Sequence, residues 1–185
     1  MATCQIGILT CYCFFQELLP NLTFTARWLV LALLIGTLVG SASALFLLSL
    51  NWVTNYRESN RWIILFLPFG GFIIGWIYHR YGTSVVKGNN QLLEEFYNPL
   101  KVIPLKMAPL VLIGTLLTHL FGGSAGREGT AVQMGGAIAD QFTKWFKLTD
   151  GDRKMVITVG VAAAFASVFG TPLAGAVFAL EWLVV

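Results

Sequence analysis

Gly122-Gly123-Ser124-Ala125-Gly126-Arg127-Glu128-Gly129-Thr130-Ala131-Val132-Gln133-Met134-Gly135-Gly136 is the stretch on which the reading of this chain turns. Arg127 and Glu128 stand side by side between Gly126 and Gly129, in a region otherwise almost free of charge. An ionisable side chain at membrane depth costs about 2.5 to 3.5 kcal/mol on insertion scales, so by default it belongs to an ion or proton pathway. The flanking glycines let the backbone come close to a ligand and turn into a helix whose first N–H groups can bind an anion. The stretch reads as an anion site that contains a titratable group.

Composition sets the class around it. Hydrophobic residues make up 56% of the chain, charged residues 11%, and the mean hydropathy is +0.72, values that exclude an ordinary soluble domain and predict an integral membrane protein. The first residues carry one charge, Glu17, and no basic run. No cleavable signal peptide is expected, and the first long span serves as its own insertion signal. Cys4, Cys11 and Cys13 lack the second ligand pair of a zinc site and read as free thiols, with no metal or cofactor. The net charge of +3 is spread along the chain, which excludes a nucleic-acid partner. Asn21-Leu22-Thr23 fits a glycosylation pattern but abuts the first span, and chance accounts for it. Apart from Glu128 the spans hold no nucleophile and base constellation, so an enzyme is not expected.

Outward from the central stretch, the apolar segments are expected to be helices. Trp28 to Tyr56 is free of charge and exceeds the roughly 20 residues that cross a bilayer. Gly36, Gly40 and Ala44 recur on one face of it, the spacing of a close-packing stripe. Arg57, Glu58 and Arg61 mark a turn. A second span follows, Trp62 to Tyr78, in which Pro68 and Gly70-Gly71 predict a kink. His79, Arg80, Lys87, Lys101 and Lys106 place the next connection, and the N-terminus with it, on the cytoplasmic side. Gly82 to Asn98 is too polar to span and reads as a loop entering a short helix. Asn89 or Asn90 is its expected N-cap, with acidic residues in the first turns. Met107 to Ala125 is apolar except for His119, either a packed residue or a proton relay. Glu128 to Trp145 forms a glycine-rich half-helix leading into the polar patch Lys144 to Lys154. Met155 to Leu180 is divided by Gly170-Thr171-Pro172 into two shorter helices. Broken and re-entrant segments of this kind are the habit of transporters built from inverted repeats.

Gly126-Arg127-Glu128-Gly129-Thr130 with Thr130-Ala131-Val132-Gln133-Met134-Gly135-Gly136 resembles the G-R/K-E-G-P and T-V-Q-x-G-G signatures of the CLC chloride channels and anion/proton antiporters. Ala162-Ala163-Ala164-Phe165-Ala166 and the run from Gly170-Thr171-Pro172 to Glu181 resemble two further motifs of that family. The likeness is close from Gly122 to Glu181 and follows segment order over most of the chain. It implies an all-α membrane fold, with residues 25–185 as the first inverted-repeat half of a CLC-type transporter and residues 1–24 as a cytoplasmic segment. Two departures stand out. Gly88-Asn89-Asn90 occupies the place of the family's first anion motif, with Asn89 in place of its serine, and Thr130 replaces the proline after G-R-E-G. Both departures resemble the fluoride/proton antiporter branch. An asparagine amide carries two N–H donors where serine has one O–H, which suits a small, strongly hydrated anion. An ordinary helix cap remains the other role open to Asn89.

The resemblance implies that Glu128 is the gate: ionised, its carboxylate fills an anion site at the helix N-terminus, and protonated, it leaves. A structural pair with Arg127 is the alternative, disfavoured because adjacent helical residues do not face one another. Gly88, Asn89, Asn90, Gly126, Arg127, Gly129 and Thr130 make up the implied anion site. The implied partners are fluoride or chloride, protons, the bilayer, a second half of the transporter and a second copy of the complete protein, in a bacterial inner membrane. Chloride exchangers carry an inner pair of acids where this chain has Glu181-Trp182, so the proton-handling position is Trp182. Glu181 is expected to be a capping or interhelical acid. The family's G-x-F-x-P motif has no counterpart in these residues, and this chain is expected to supply one side of the ion site.

Overall fold

The computed structural model describes the backbone of residues 2–99 and 101–184 and the side chains of residues 24–99 and 101–183. It consists of α1 (Ala2–Ser59), a 3-10 turn (Arg61–Phe66), α2 (Leu67–Tyr81), α3 (Asn89–Tyr97), α4 (Met107–Leu120), α5 (Arg127–Phe146), α6 (Asp150–Phe169) and α7 (Pro172–Val184). There is no strand among the described residues. The chain divides into two units, Met1–Leu34 and Ile35–Val185. The first is the N-terminal part of α1, with the rings of Phe24 and Trp28 6.1 Å apart. The second holds every residue of the expected anion site. The side chains of Cys4, Cys11, Cys13, Glu17 and Asn21 lie outside the described residues.

Two helical stretches, Phe24–Ser59 and Arg61–Tyr81, are long and apolar enough to cross a membrane. On α1 the small residues are not the packing face. A Cβ built on Gly36 or Gly40 meets nothing within 4 Å, and Ala44 is exposed. The buried side chains in the second unit are Ile35, Val39, Ser43, Phe46, Leu50 and Val53, which recur every three or four positions. Large apolar side chains make more dispersion contacts than glycine, and this helix packs by them. The expected break in the second span is present, but Pro68 does not kink a helix interior. It sits in the first turn of α2, where its missing N–H leaves no bond unmade, and the irregularity is the 3-10 turn before it.

α5 is the most buried helix. Its face Ala131, Val132, Met134, Gly135, Gly136, Ala137, Ala139 and Asp140 is enclosed, and the glycines allow its neighbours to approach. A Cβ on Gly135 would lie 2.5 Å from the Gly160 carbonyl oxygen of α6, and one on Gly160 would strike Ala139. Leu92 of α3 occupies the space beside Gly136. α6 starts with a capping box between Thr149 and Asp152 and ends at Gly170, whose φ of 68° places it in the left-handed region. Pro172 then opens α7, so the expected division of Met155 to Leu180 is where the sequence puts it.

One polar cluster sits inside this packing. Arg153, 4% exposed, donates from Nε to Asp140 Oδ1 and from Nη2 to Asp140 Oδ2, both at 2.8 Å. It also reaches Glu95 Oε2 at 3.3 Å and the Lys101 carbonyl at 2.8 Å. Asp140, fully buried, accepts further bonds from the Ile103 N–H at 2.7 Å and Thr143 Oγ1 at 3.1 Å. The cluster ties α5, α6, the end of α3 and the connection at 101–103 together. Arg153 belongs to the polar patch ahead of the apolar run from Met155. Burial disfavours its charged form, but the hydrogen bonds and charges of Asp140 and Glu95 outweigh that and raise its pKa above the ordinary value. Because the folded-state pKa is raised, the stabilisation is present at every pH below the normal arginine range. Asp140→Ala is therefore expected to destabilise the protein by about 3 to 5 kcal/mol, since it leaves a buried guanidinium without its main partner. Thermal unfolding in detergent measures this, and the loss should be the same at pH 6 and pH 8.

Candidate anion site at the N-termini of α3 and α5

The turn before α3 ends on Gly88, with φ 55° and ψ −126°, a backbone region that glycine alone adopts freely. Gly88, not Asn89 or Asn90, holds the cap position, and no side chain caps α3. Asn89 is the first helical residue. The first turn of α3 holds no acidic residue; Glu94 and Glu95 fall in the second turn, where Glu94 pairs with Lys87 and Glu95 joins Arg153. The N–H groups of Asn90 and Gln91 turn back to the carbonyls of Lys87 and Gly88, each at 3.1 Å. Two of the first donors of α3 are thus already used, and its side chains must supply what the backbone does not. Asn89 Oδ1 and Gln91 Oε1 are buried and without a hydrogen-bond partner.

α5 begins differently. Gly126 caps it in an extended conformation, φ −69° and ψ 128°, with no side-chain cap. Among the described residues no side chain caps the first N–H groups of the helix, the state in which a helix end attracts an anion. Arg127 and Glu128 are both exposed, and neither forms an ion pair among the described residues. The structural pairing of Arg127 with Glu128 is not formed.

The two helix ends meet. A Cβ built on Gly129 would lie 3.4 Å from Asn89 Nδ2, and one built on Gly88 would lie 3.4 Å from Gln133 Nε2. Gly88, Asn89 and Gly129 are brought together, whereas Asn90 is exposed and turned to the surface. Thr130 is beside them, but its hydroxyl lies in the α4–α5 seam: it donates to the Gly126 carbonyl at 3.0 Å and lies 2.7 Å from Thr115 Oγ1. What Thr130 offers an anion is therefore not its hydroxyl. Gln133, which carried no assigned role in the sequence, belongs to the same junction. Gln133 is one turn beyond Gly129 on α5, and that spacing is the signal that would have found it. There is no cluster of metal-ligating residues among the described residues.

His119 is bonded within its own helix, Nδ1 to the Thr115 carbonyl at 2.9 Å, and its own carbonyl accepts from Arg57 Nη1 at 3.4 Å. It is a packed residue of the bundle. Glu181 is exposed and forms no ion pair among the described residues, which does not match the expected interhelical acid. It projects from the open side of α7, where Leu173, Val177 and Leu180 are also exposed. Trp182 faces inward. It stacks on Phe178 at 6.3 Å, Phe178 stacks on Phe165 at 4.1 Å, and Phe165 meets Phe169 at 4.6 Å.

Residues 70–185 match the family profile described as voltage gated chloride channel. The chain belongs to the CLC family. Among its CLC relatives, a chloride/fluoride channel protein of Pseudomonas syringae pv. tomato is 55% identical over 91% of this chain and 37% of its own length. An H(+)/Cl(-) exchange transporter ClcA of Vibrio parahaemolyticus is 27% identical over 83% of this chain and 36% of its own length. The crystal structure of a CLC-type fluoride/proton antiporter superposes with a TM-score of 0.78 at 42% identity, covering 82% of this chain and 38% of that one. The chain spans little more than a third of the length of the relatives it matches. These relatives are channels and exchangers rather than enzymes.

Gly88→Ala tests the junction. A Cβ at that φ is strained by about 1 to 3 kcal/mol, while its contact with Gln133 would be an ordinary one. The variant should unfold at a lower temperature and show faster hydrogen exchange at the start of α3, while the exchange of α6 stays unchanged.

Proposed function

We propose that residues 25–185 form the first half of the transmembrane domain of a proton-coupled anion transporter that exports fluoride, with residues 1–24 on the cytoplasmic side. The observation that carries the reading is the meeting of Asn89 with Gly129 at two uncapped helix N-termini, beside an exposed, unpaired Glu128. Positive helix ends, glycine backbone and the amide N–H groups of Asn89 are a donor set for an anion. Glu128, in the first turn of α5, places a carboxylate where an anion would otherwise sit. Ionised, it competes with the anion for the same N–H groups; protonated, it has no charge to hold it there. One residue then exchanges a proton for an anion.

Fluoride is the preferred ion for three reasons. Asn89 carries two N–H donors at a position where the resembling chloride proteins have a serine. The names of two similar proteins mention fluoride. Trp182, stacked on Phe178, is an indole that cannot carry a proton from the cytoplasmic side as a carboxylate would. The second half of the site would come from a further segment of the transporter, and the complete protein would work as a pair of copies in the bacterial inner membrane.

Flux from liposomes carrying the full-length protein tests the assignment. Fluoride efflux with counter-movement of protons is expected. Glu128→Gln should abolish the proton component, and unchanged coupling would remove Glu128 from the mechanism. Asn89→Ser should lower the fluoride-over-chloride ratio about tenfold, the worth of one hydrogen bond to an ion. Selective chloride movement by the unaltered protein would replace fluoride with chloride as the substrate.

A further inference from the structure

Thr130 stands where the resembling chloride proteins carry a proline, and its surroundings assign it a partner. Its side chain is 4% exposed, and that of Thr115 on α4 is 6% exposed. The two hydroxyl oxygens are 2.7 Å apart. Thr130 has a single hydroxyl proton and donates it to the Gly126 carbonyl at 3.0 Å, so the proton between the two hydroxyls belongs to Thr115. The bonds therefore run in one direction, from α4 through Thr130 to the residue that caps α5. Thr115 is fixed in turn, because its carbonyl accepts from His119 Nδ1 at 2.9 Å.

We infer that Thr115 and Thr130 form a positioning pair that sets where the first-turn donors of α5 point, and through them the anion selectivity of the site. The inference rests on the reading of that helix end as an anion site. Gly126 has no side-chain cap of its own, so the hydroxyl bond from Thr130 is the side-chain restraint on its carbonyl. A proline at 130 would have neither the hydroxyl nor the N–H that closes the first helical turn onto Gly126. Thr115 would then be left with a buried, unpaired hydroxyl, a state that costs free energy and is rarely retained. The two threonines make sense only together. Neither hydroxyl has a proton left for an anion, so each acts through the backbone of Gly126 to Gly129 and not by touching the ion.

The test uses the full-length protein in liposomes, with Thr130→Val and Thr115→Val, which keep side-chain volume, the double variant, and Thr130→Ser, which keeps the hydroxyl. Each valine variant is expected to lower the fluoride-over-chloride flux ratio about tenfold, the effect of one buried hydrogen bond. The double variant should be no worse than either single one, and Thr130→Ser should stay within about twofold of the unaltered protein, because a shared interaction is lost only once. Should Thr130→Val fail to fold, Thr115→Val carries the same expectation from outside the site. A lower melting temperature with an unaltered flux ratio in the valine variants would overturn the positioning role and leave the anion site in place. Absence of anion flux from the unaltered protein would overturn the site and the pair together.

Discussion

The close crossing of α5 and α6 is the constraint on which the rest of the arrangement depends. Backbone meets backbone at Gly135 and Gly160, with no room for a Cβ on either. In a membrane, where lipid is as apolar as leucine, helices gain little from burying apolar surface against one another, and close packing between small residues takes its place. A helix held that tightly on one side can leave its N-terminal end open. α5 does so, with its middle enclosed and Arg127 and Glu128 exposed at its start. The same logic places Leu92 against Gly136, which brings α3 across α5 and delivers Asn89 to Gly129.

Packing of this kind fixes distance but not sliding, and the Asp140–Arg153 pair supplies what is missing. Its fork geometry allows one register between α5 and α6, and the added bonds to Glu95, Lys101 and Ile103 extend that register to α3. A buried ion pair is a weak source of net stability, because desolvation offsets most of the attraction. Its value here lies in direction. Glu95 is on the same short helix as Asn89, so the cluster anchors the far end of α3 while the near end meets Gly129 of α5.

The helical architecture was legible in the sequence because its breaks are chemical. Gly170-Thr171-Pro172 cannot continue a helix, Thr149 and Asp152 can start one, and Gly126 precedes a long run without proline. Composition and the motif around Glu128 were enough for the family. What could not be read was which face of a helix meets which neighbour. Gly36, Gly40 and Ala44 have the spacing of a packing stripe, yet α1 packs by Ile35, Val39, Phe46 and Leu50. Local sequence specifies a stripe, and only the partner decides between two of them. Asn89 failed as a cap for a related reason. Asparagine favours the cap position, but Gly88 can adopt a positive φ that asparagine adopts less readily, so the turn took the glycine and moved Asn89 one place into the helix. Asp140 and Arg153 were invisible as a pair because they are joined by a fold, α5 against α6, that spacing alone does not encode.

On the proposed reading, selectivity and gating reside in different chemical groups, and the geometry explains how they are kept apart. The donors at this junction, backbone N–H groups and carboxamides, do not titrate in the physiological range, so their preference among anions is the same whatever the proton concentration. Glu128, on that reading, contributes a competing charge and no donor, so it governs occupancy without choosing the ion. Had the buried positions at 115 and 130 been ionisable, a change of pH would have shifted the α5 donors along with the gate and mixed the two properties. Two neutral hydroxyls hold the helix end in place without responding to the proton that Glu128 takes up. That separation lets a single carboxylate serve both ion movements while the preference for one anion is left to the surrounding amides.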